Sequence, residues 1–208
     1  MDVYESAVDL ILTKYNLKDY NGKMPIELPI VREDLSVLFS DLGYKIGAEI
    51  GVERAMFSEA LCKNNPGVKH FCIDMWQTYR GYRDHVNQEK LDRFMAESIE
   101  RMKPYNAEVI KAFSLDAVKK FKDNSLDYVY IDGNHDFQNC CNDIVEWGKK
   151  VRSGGIISGH DFEKHRKGGS FIHVHECVFG YTEAYKIKPW FKTKNQSHNA
   201  ASFLWVKK

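Results

Sequence analysis

The segment Leu126–Phe162, LDYVYIDGNHDFQNCCNDIVEWGKKVRSGGIISGHDF, reads as strand, helix, strand. LDYVYID has the near-continuous apolar look of a strand buried on both faces. It breaks at a Gly-Asn-His turn. FQNCCNDIVEWGKKV then carries helical spacing, and GGIISGHD is again apolar up to a His-Asp pair. Such a β-α-β unit implies parallel strands joined by a crossover helix. Ligands bind beyond the carboxyl ends of the strands in open sheets of this kind. Both Asp/His clusters therefore fall where chemistry is expected.

The same rhythm extends upstream. KIGAEIGV, KHFCIDMW and AEVIKA read as strands, and ERAMFSEALCKNN, NQEKLDRFMAESIERMK and LDAVKKFK as the helices between them. The pattern predicts an α/β fold: a Rossmann-like, doubly wound, mostly parallel sheet with helices on both faces. Downstream, HVHECVFGYTEAY reads as a helix, with surface roles for His173 and His175. KIKPWFKTK and ASFLWVKK, joined by the polar loop NQSHN, read as an antiparallel C-terminal hairpin closing the sheet edge.

Before Tyr44 the chain differs. Val3, Ala7, Val8, Leu10, Ile11 and Leu12 keep helical spacing, NGKMPIELPI is a loop broken by Pro25 and Pro29, and REDLSVLFSDLG is a helix ended by Gly43. Residues 1–43 are thus an N-terminal helical extension and 44–208 the main domain. Two roles stay open for the extension, a cover over a pocket or a contact in a homo-oligomer.

A chain of 208 residues can bury a sizeable core as one domain with an extension. Its formal net charge of +1 gives no electrostatic case for a nucleic-acid partner. No apolar run approaches membrane-span length. The N-terminus has acids early and no basic region before its apolar run, so it is a poor signal peptide. The five cysteines form no C-x-x-C pair and no disulfide framework. Reduced thiols and a cytoplasmic location are the expectation.

The first strand of the main domain ends AEIGVERAMFS. A dinucleotide site would show G-x-G-x-x-G, but here Glu49 stands between Gly47 and Gly51. A carboxylate there repels phosphate and suits a cationic, phosphate-free ligand, as S-adenosylmethionine (SAM) is. Asp74 ends the next strand, placed to accept from ribose hydroxyls. Met75 and Trp76 follow and could pack on adenine, although Trp76 also reads as plain core. Ser114, after the third strand, could meet the adenine edge. Acids at strand ends are also common helix caps.

Together these residues resemble class I SAM-dependent methyltransferases from about Tyr44 onward. One departure is Ala55, where that family usually has a third glycine. IDGNHDF and SGHDF further resemble the O-methyltransferases related to the macrocin and mycinamicin sugar methyltransferases. That resemblance implies a divalent metal (Mg or Mn) held by Asp132 and the pair His160 and Asp161. It implies His135 as catalytic base and a small hydroxylated acceptor such as a sugar. A metal would lower the hydroxyl pKa, and a neutral imidazole could take the proton. His160 stands where relatives carry an acid. An imidazole favours manganese, iron or zinc over magnesium, or else serves as a second base or substrate contact without a metal. Asn134 reads as a turn residue. The run Trp76–His85 is open between an acceptor lining and a lid over SAM, and Lys164–Gly169 reads as a solvated loop over the pocket. Two alternatives are an NAD-type oxidoreductase and a non-catalytic SAM-binding module. The missing glycine cradle opposes the first, and the converging ionisable groups oppose the second.

Overall fold

The computed structural model describes residues 2–80, 87–164, 171–195 and 200–208. Helix α1 (Val3–Lys14) leads to strand β1 (Ile26–Glu27), a 3₁₀ turn (Arg32–Asp34) and α2 (Leu35–Asp41). There follow β2 (Ile46–Ile50), α3 (Met56–Asn64), β3 (Lys69–Asp74), α4 (Gln88–Met102), β4 (Ala107–Lys111) and the short α5 (Ser114–Ala117). Then come β5 (Leu126–Ile131), α6 (Phe137–Lys150), β6 (Val151–Gly159), α7 (Val174–Ala184), β7 (Phe191–Lys192) and β8 (Phe203–Val206).

The eight strands form one sheet in the order β1-β7-β8-β6-β5-β2-β3-β4. β8 runs antiparallel to both of its neighbours, β6 and β7, while the other pairs are parallel. This is the doubly wound sheet with a C-terminal hairpin that the sequence predicts. From β2 the chain winds to β3 and β4 on one side, then crosses to β5 and β6 on the other. The strand order reverses between β2 and β5, and a crevice opens at their carboxyl ends.

Strand alternation divides the core between two faces. Tyr128 and Tyr130 pack with α1 to α4, through Ile11, Leu35, Phe57 and Phe94. Val129 and Ile131 pack with α5 to α7, through Ala117, Ile144, Trp147 and Val178. α6 has a strongly one-sided apolar stripe and is capped by Asp136, which accepts from Asn139 N at 2.8 Å.

Three expectations change. The loop around Pro25 and Pro29 contains β1, which pairs parallel with β7. Two residues between prolines carry no legible period, so this edge strand was invisible. The thiols are not all reduced: Cys141 on α6 and Cys177 on α7 form a disulfide, with Cα atoms 5.7 Å apart. The packing of α6 on α7, not the 36-residue spacing, brings them together. Cys62, Cys72 and Cys140 are free and buried. Finally, His173 and His175 are half-buried rather than on the surface. His173 N donates to His135 O at 2.8 Å, and His175 stacks on Phe162. No helix among the described residues is long and apolar enough to cross a membrane.

Candidate functional site

A cavity of about 440 Å³ lies at the carboxyl ends of β2, β3, β4 and β5. Gly51 lets it form. Its φ is +84°, and a Cβ there would lie 1.9 Å from Asp132 O, so only glycine fits between the two strand ends. Ala55 also holds a left-handed conformation, φ +57°, where the family glycine would be unstrained.

Asp74 accepts from Glu53 N and Trp76 N, both at 2.9 Å. Burial pushes its carboxyl up, and these backbone donors only partly offset that. Met75 and Trp76 wall the cavity beside it, and Trp76 Nε1 donates to Glu53 O at 2.7 Å. Ser114 also lines the cavity, but its hydroxyl is shared already. It donates to Asp143 and accepts from Trp147 Nε1 at 2.8 Å. Asp143 is a lining residue with no sequence signal of its own. Burial pushes its carboxyl up to about 7, which Ser114 only partly offsets. Among the described residues no lysine or arginine lines the cavity, while Glu53, Asp74, Asp132 and Asp143 do. Such a lining suits a cationic ligand without phosphate.

Glu49 is absent from that lining. On β2 its side chain shares a face with Gly47, away from Ala48 and Ile50. It is 1% exposed and accepts from Ser58 Oγ on α3. His70 bridges Ser58 Oγ and Tyr128 OH beneath it, at 3.1 and 2.9 Å. The carboxylate expected to face the cofactor instead anchors a buried polar network next to the site.

The second cluster sits where β5 and β6 end. Asp132 follows β5, and its backbone N donates to Ile50 O at 2.7 Å. His160 and Asp161 follow β6, with His160 N donating to Ile131 O at 3.0 Å. His135 Nε2 lies 3.0 Å from Asp161 Oδ2 and 3.5 Å from Asp132 Oδ1. His160 Nδ1 lies 3.6 Å from the same two atoms. Both imidazoles thus face one carboxylate pair. Asn134 accepts from Asp136 N, which builds the turn, and donates to Tyr79 OH.

Charge neighbours outweigh burial here. Burial would raise Asp132, but Arg32 first, then His135 and His160, hold it well below the usual carboxylate range. Asp161 is likewise held far down by the two histidines. Burial would lower His135, yet hydrogen bonding to Asp132 and Asp161 lifts it to about 10. His160 rises to about 9 for the same reasons.

Arg32 is the residue the sequence did not reveal. Its Nη2 lies 2.7 Å from Asp132 Oδ2. Nothing in PIVRED marks an arginine that reaches a site a hundred residues away.

The donor set fits a divalent ion. Ligand atoms of Asp132, His135 and Asp161 lie within 4.8 Å of one another, and His160 Nδ1 adjoins them. Mixed imidazole and carboxylate donors suit manganese, iron or zinc better than magnesium. The expected loop at Lys164–Gly169 lies, apart from Lys164, outside the described residues, as do positions 81–85 of the Trp76–His85 run.

Comparison with known proteins agrees with this fold. Residues 44–162 match the family model described as "Methyltransferase domain". An O-methyltransferase from Bacillus cereus in complex with SAH is similar, at 15% identity and TM-score 0.61, over 100% of this chain and 92% of that one. The O-methyltransferase TomG from Streptomyces achromogenes, in complex with SAM, gives 14% identity, TM-score 0.60, and coverage of 100% and 91%. The N-methyltransferase NodS from Bradyrhizobium japonicum gives 14%, 0.55, and 85% and 95%. No curated protein matches the sequence. At these identities the neighbours speak for the fold alone.

Proposed function

The chain belongs to the methyltransferase-domain family and is a SAM-dependent methyltransferase, and from that premise we propose that it methylates a hydroxyl of a small acceptor with help from a divalent ion. The observation that carries this reading is that, among the described residues, an acidic cavity lined by no lysine or arginine lies beside a cluster of two carboxylates and two imidazoles. NodS, described as an N-methyltransferase, has the same fold, so the fold does not select oxygen. The Asp/His cluster favours it, because an alcohol must give up its proton to become a good nucleophile, whereas a neutral amine already has a nucleophilic lone pair.

When bound, SAM supplies an electrophilic methyl group on its sulfonium. Asp74 would accept from its ribose hydroxyls, Gly51 would allow close backbone approach, and Met75 and Trp76 would wall its adenine side. Ser114 and Asp143 form the far polar edge. Glu49 contributes indirectly, through Ser58 and Arg32. When bound, a divalent ion supplies Lewis acidity that lowers the pKa of the acceptor hydroxyl. Asp132 and Asp161 would hold it with His160, whose Nδ1 lies 3.6 Å from an oxygen of each. The two histidines divide on one observation: His135 lines the cavity and His160 does not. His135 is therefore the base on the acceptor side, and its Nε2, 3.0 Å from Asp161 Oδ2, takes the proton only once that contact is released. Hydrogen bonding to Asp132 and Asp161 outweighs burial and favours the protonated form of His135. It can act as base only when the charge on Asp132 and Asp161 is otherwise compensated. A sugar hydroxyl is the acceptor class favoured by the resemblance of IDGNHDF and SGHDF to the macrocin and mycinamicin group. Residues 44–208 are taken as the catalytic domain, with 1–43 an extension that closes one side of its site.

The test is transfer of labelled methyl from SAM to a panel of hydroxyl acceptors, sugars included. Turnover should require a divalent ion and stop on exhaustive chelation. His135→Ala should abolish turnover and leave S-adenosylhomocysteine affinity intact. Full activity in that variant removes His135 from the base role, and full activity after chelation removes the metal.

A further inference from the structure

Arg32 reaches the cluster from outside the matched region, on a segment that is fixed along its length. Leu28 N donates to Lys192 O and Lys194 N to Ile30 O, both at 2.8 Å, which zips the segment along β7. Val31 N donates to Asp34 Oδ2 at 3.0 Å and closes the 3₁₀ turn that presents Arg32. The guanidinium lies over the rings of Phe57 and Tyr130, at 4.8 and 5.2 Å. Alternation along β2 and β5 puts Glu49, Tyr130 and Asp132 on this same face. Nη2 is 2.7 Å from Asp132 Oδ2 and 3.9 Å from Glu49 Oε1.

The two oxygens of Asp132 are therefore divided. Oδ2 belongs to the guanidinium, and Oδ1 faces His135 and His160 at 3.5 and 3.6 Å. Resting on the metal-assisted reading above, we propose that Arg32 is a positioning residue that sets the affinity of the divalent-ion site: it leaves Asp132 a single oxygen for the ion and keeps a permanent positive charge beside it. Arginine suits this role because it does not lose its proton. The site then carries two carboxylates but behaves as a less negative one, so it holds its ion loosely. A merely structural counter-ion for Glu49 and Asp132 makes the opposite prediction, since losing it would loosen the cluster and weaken ion binding.

The experiment is calorimetric titration of Mn²⁺ into the full chain, for wild type, Arg32→Gln, Arg32→Met and Arg32→Lys. Thermal unfolding and S-adenosylhomocysteine titration report whether each variant folds. Removing one unit charge next to a divalent ion should tighten Mn²⁺ binding by roughly tenfold or more in the Gln and Met variants. Arg32→Lys, which keeps the charge, should return to within about threefold of wild type. Unchanged or weaker binding in folded Gln and Met variants overturns the proposal and leaves the metal reading standing. Binding in those variants but not in wild type supports the role of Arg32 and overturns metal assistance in the native enzyme. No binding in any form overturns both. If neither neutral variant folds, Arg32 is a structural counter-ion and the proposal fails.

Discussion

Asp74 and Asp132 both end a strand of the same sheet, both are half-buried, and both line the same cavity. Their carboxyls are nevertheless pushed in opposite directions. Among the described residues, the Asp74 carboxylate accepts from backbone N–H groups alone, and burial raises it. Asp132 meets a guanidinium and two imidazoles, and is held far down. The difference separates a half of the site built to accept hydrogen bonds from a half built to balance charge. Position at a strand end says where a carboxylate lies, and its neighbours say what it can do.

The largest break in this comparison should come from Asp132→Asn. It removes the negative charge 2.7 Å from the buried Arg32 guanidinium, so stability should fall by about 3 kcal/mol. Turnover should fall on the order of 10²–10³-fold. Thermal melts and initial rates check both, and a variant within about twofold of wild type would show that the charge balance is dispensable.

Asp143 sharpens the comparison from the burial side. Its carboxyl titrates near pH 7 in the folded chain, against about 3.9 unfolded. Between those values the native state keeps a proton that the unfolded state has lost. Stability should therefore drop as pH rises from about 4 to about 7, by on the order of 3–4 kcal/mol, and then level off. Asp143→Asn should flatten that stretch of the pH–stability curve as measured by urea unfolding. A slope unchanged by the substitution would place the effect elsewhere.

Asp74→Asn should do less to the fold than Asp132→Asn, because only one backbone donor loses its acceptor, at about 1 kcal/mol. Its main effect should be on the cofactor, with S-adenosylhomocysteine binding about tenfold weaker in calorimetry. Equal affinity would move the ribose away from Asp74. The smallest effect belongs to Ala55→Gly. Relieving the left-handed alanine should raise stability by about 1 kcal/mol, read as a melting-temperature rise of a few degrees. A fall would mean that the buried methyl contributes more than the strain costs.

The same contrast explains what the sequence could disclose. Gly51, Asp74, Asp132, His135, His160 and Asp161 all sit within a few residues of a strand end, and strand ends follow from local apolar period. The doubly wound sheet and its antiparallel hairpin were legible on the same grounds. Arg32 was not, since its partner lies 100 residues away and its own surroundings carry no pattern. The direction of Glu49 was not either. It depends on which face of β2 meets α3, and a run of apolar neighbours on both faces hides that parity. β1 is too short to show a period, and the Cys141–Cys177 pair exists only because α6 and α7 pack together. The readable half of the site was made by local structure, and the hidden half by contacts across the chain.

A crystal structure of the full chain with S-adenosylhomocysteine and Mn²⁺ tests both halves of the site at once. The ribose hydroxyls should lie on Asp74, and an anomalous manganese peak should be held by Asp132, Asp161 and His160. His135 should be unligated on the cavity side of that ion. An S-adenosylhomocysteine molecule bound elsewhere, or manganese ligated by His135 in place of His160, would contradict this arrangement.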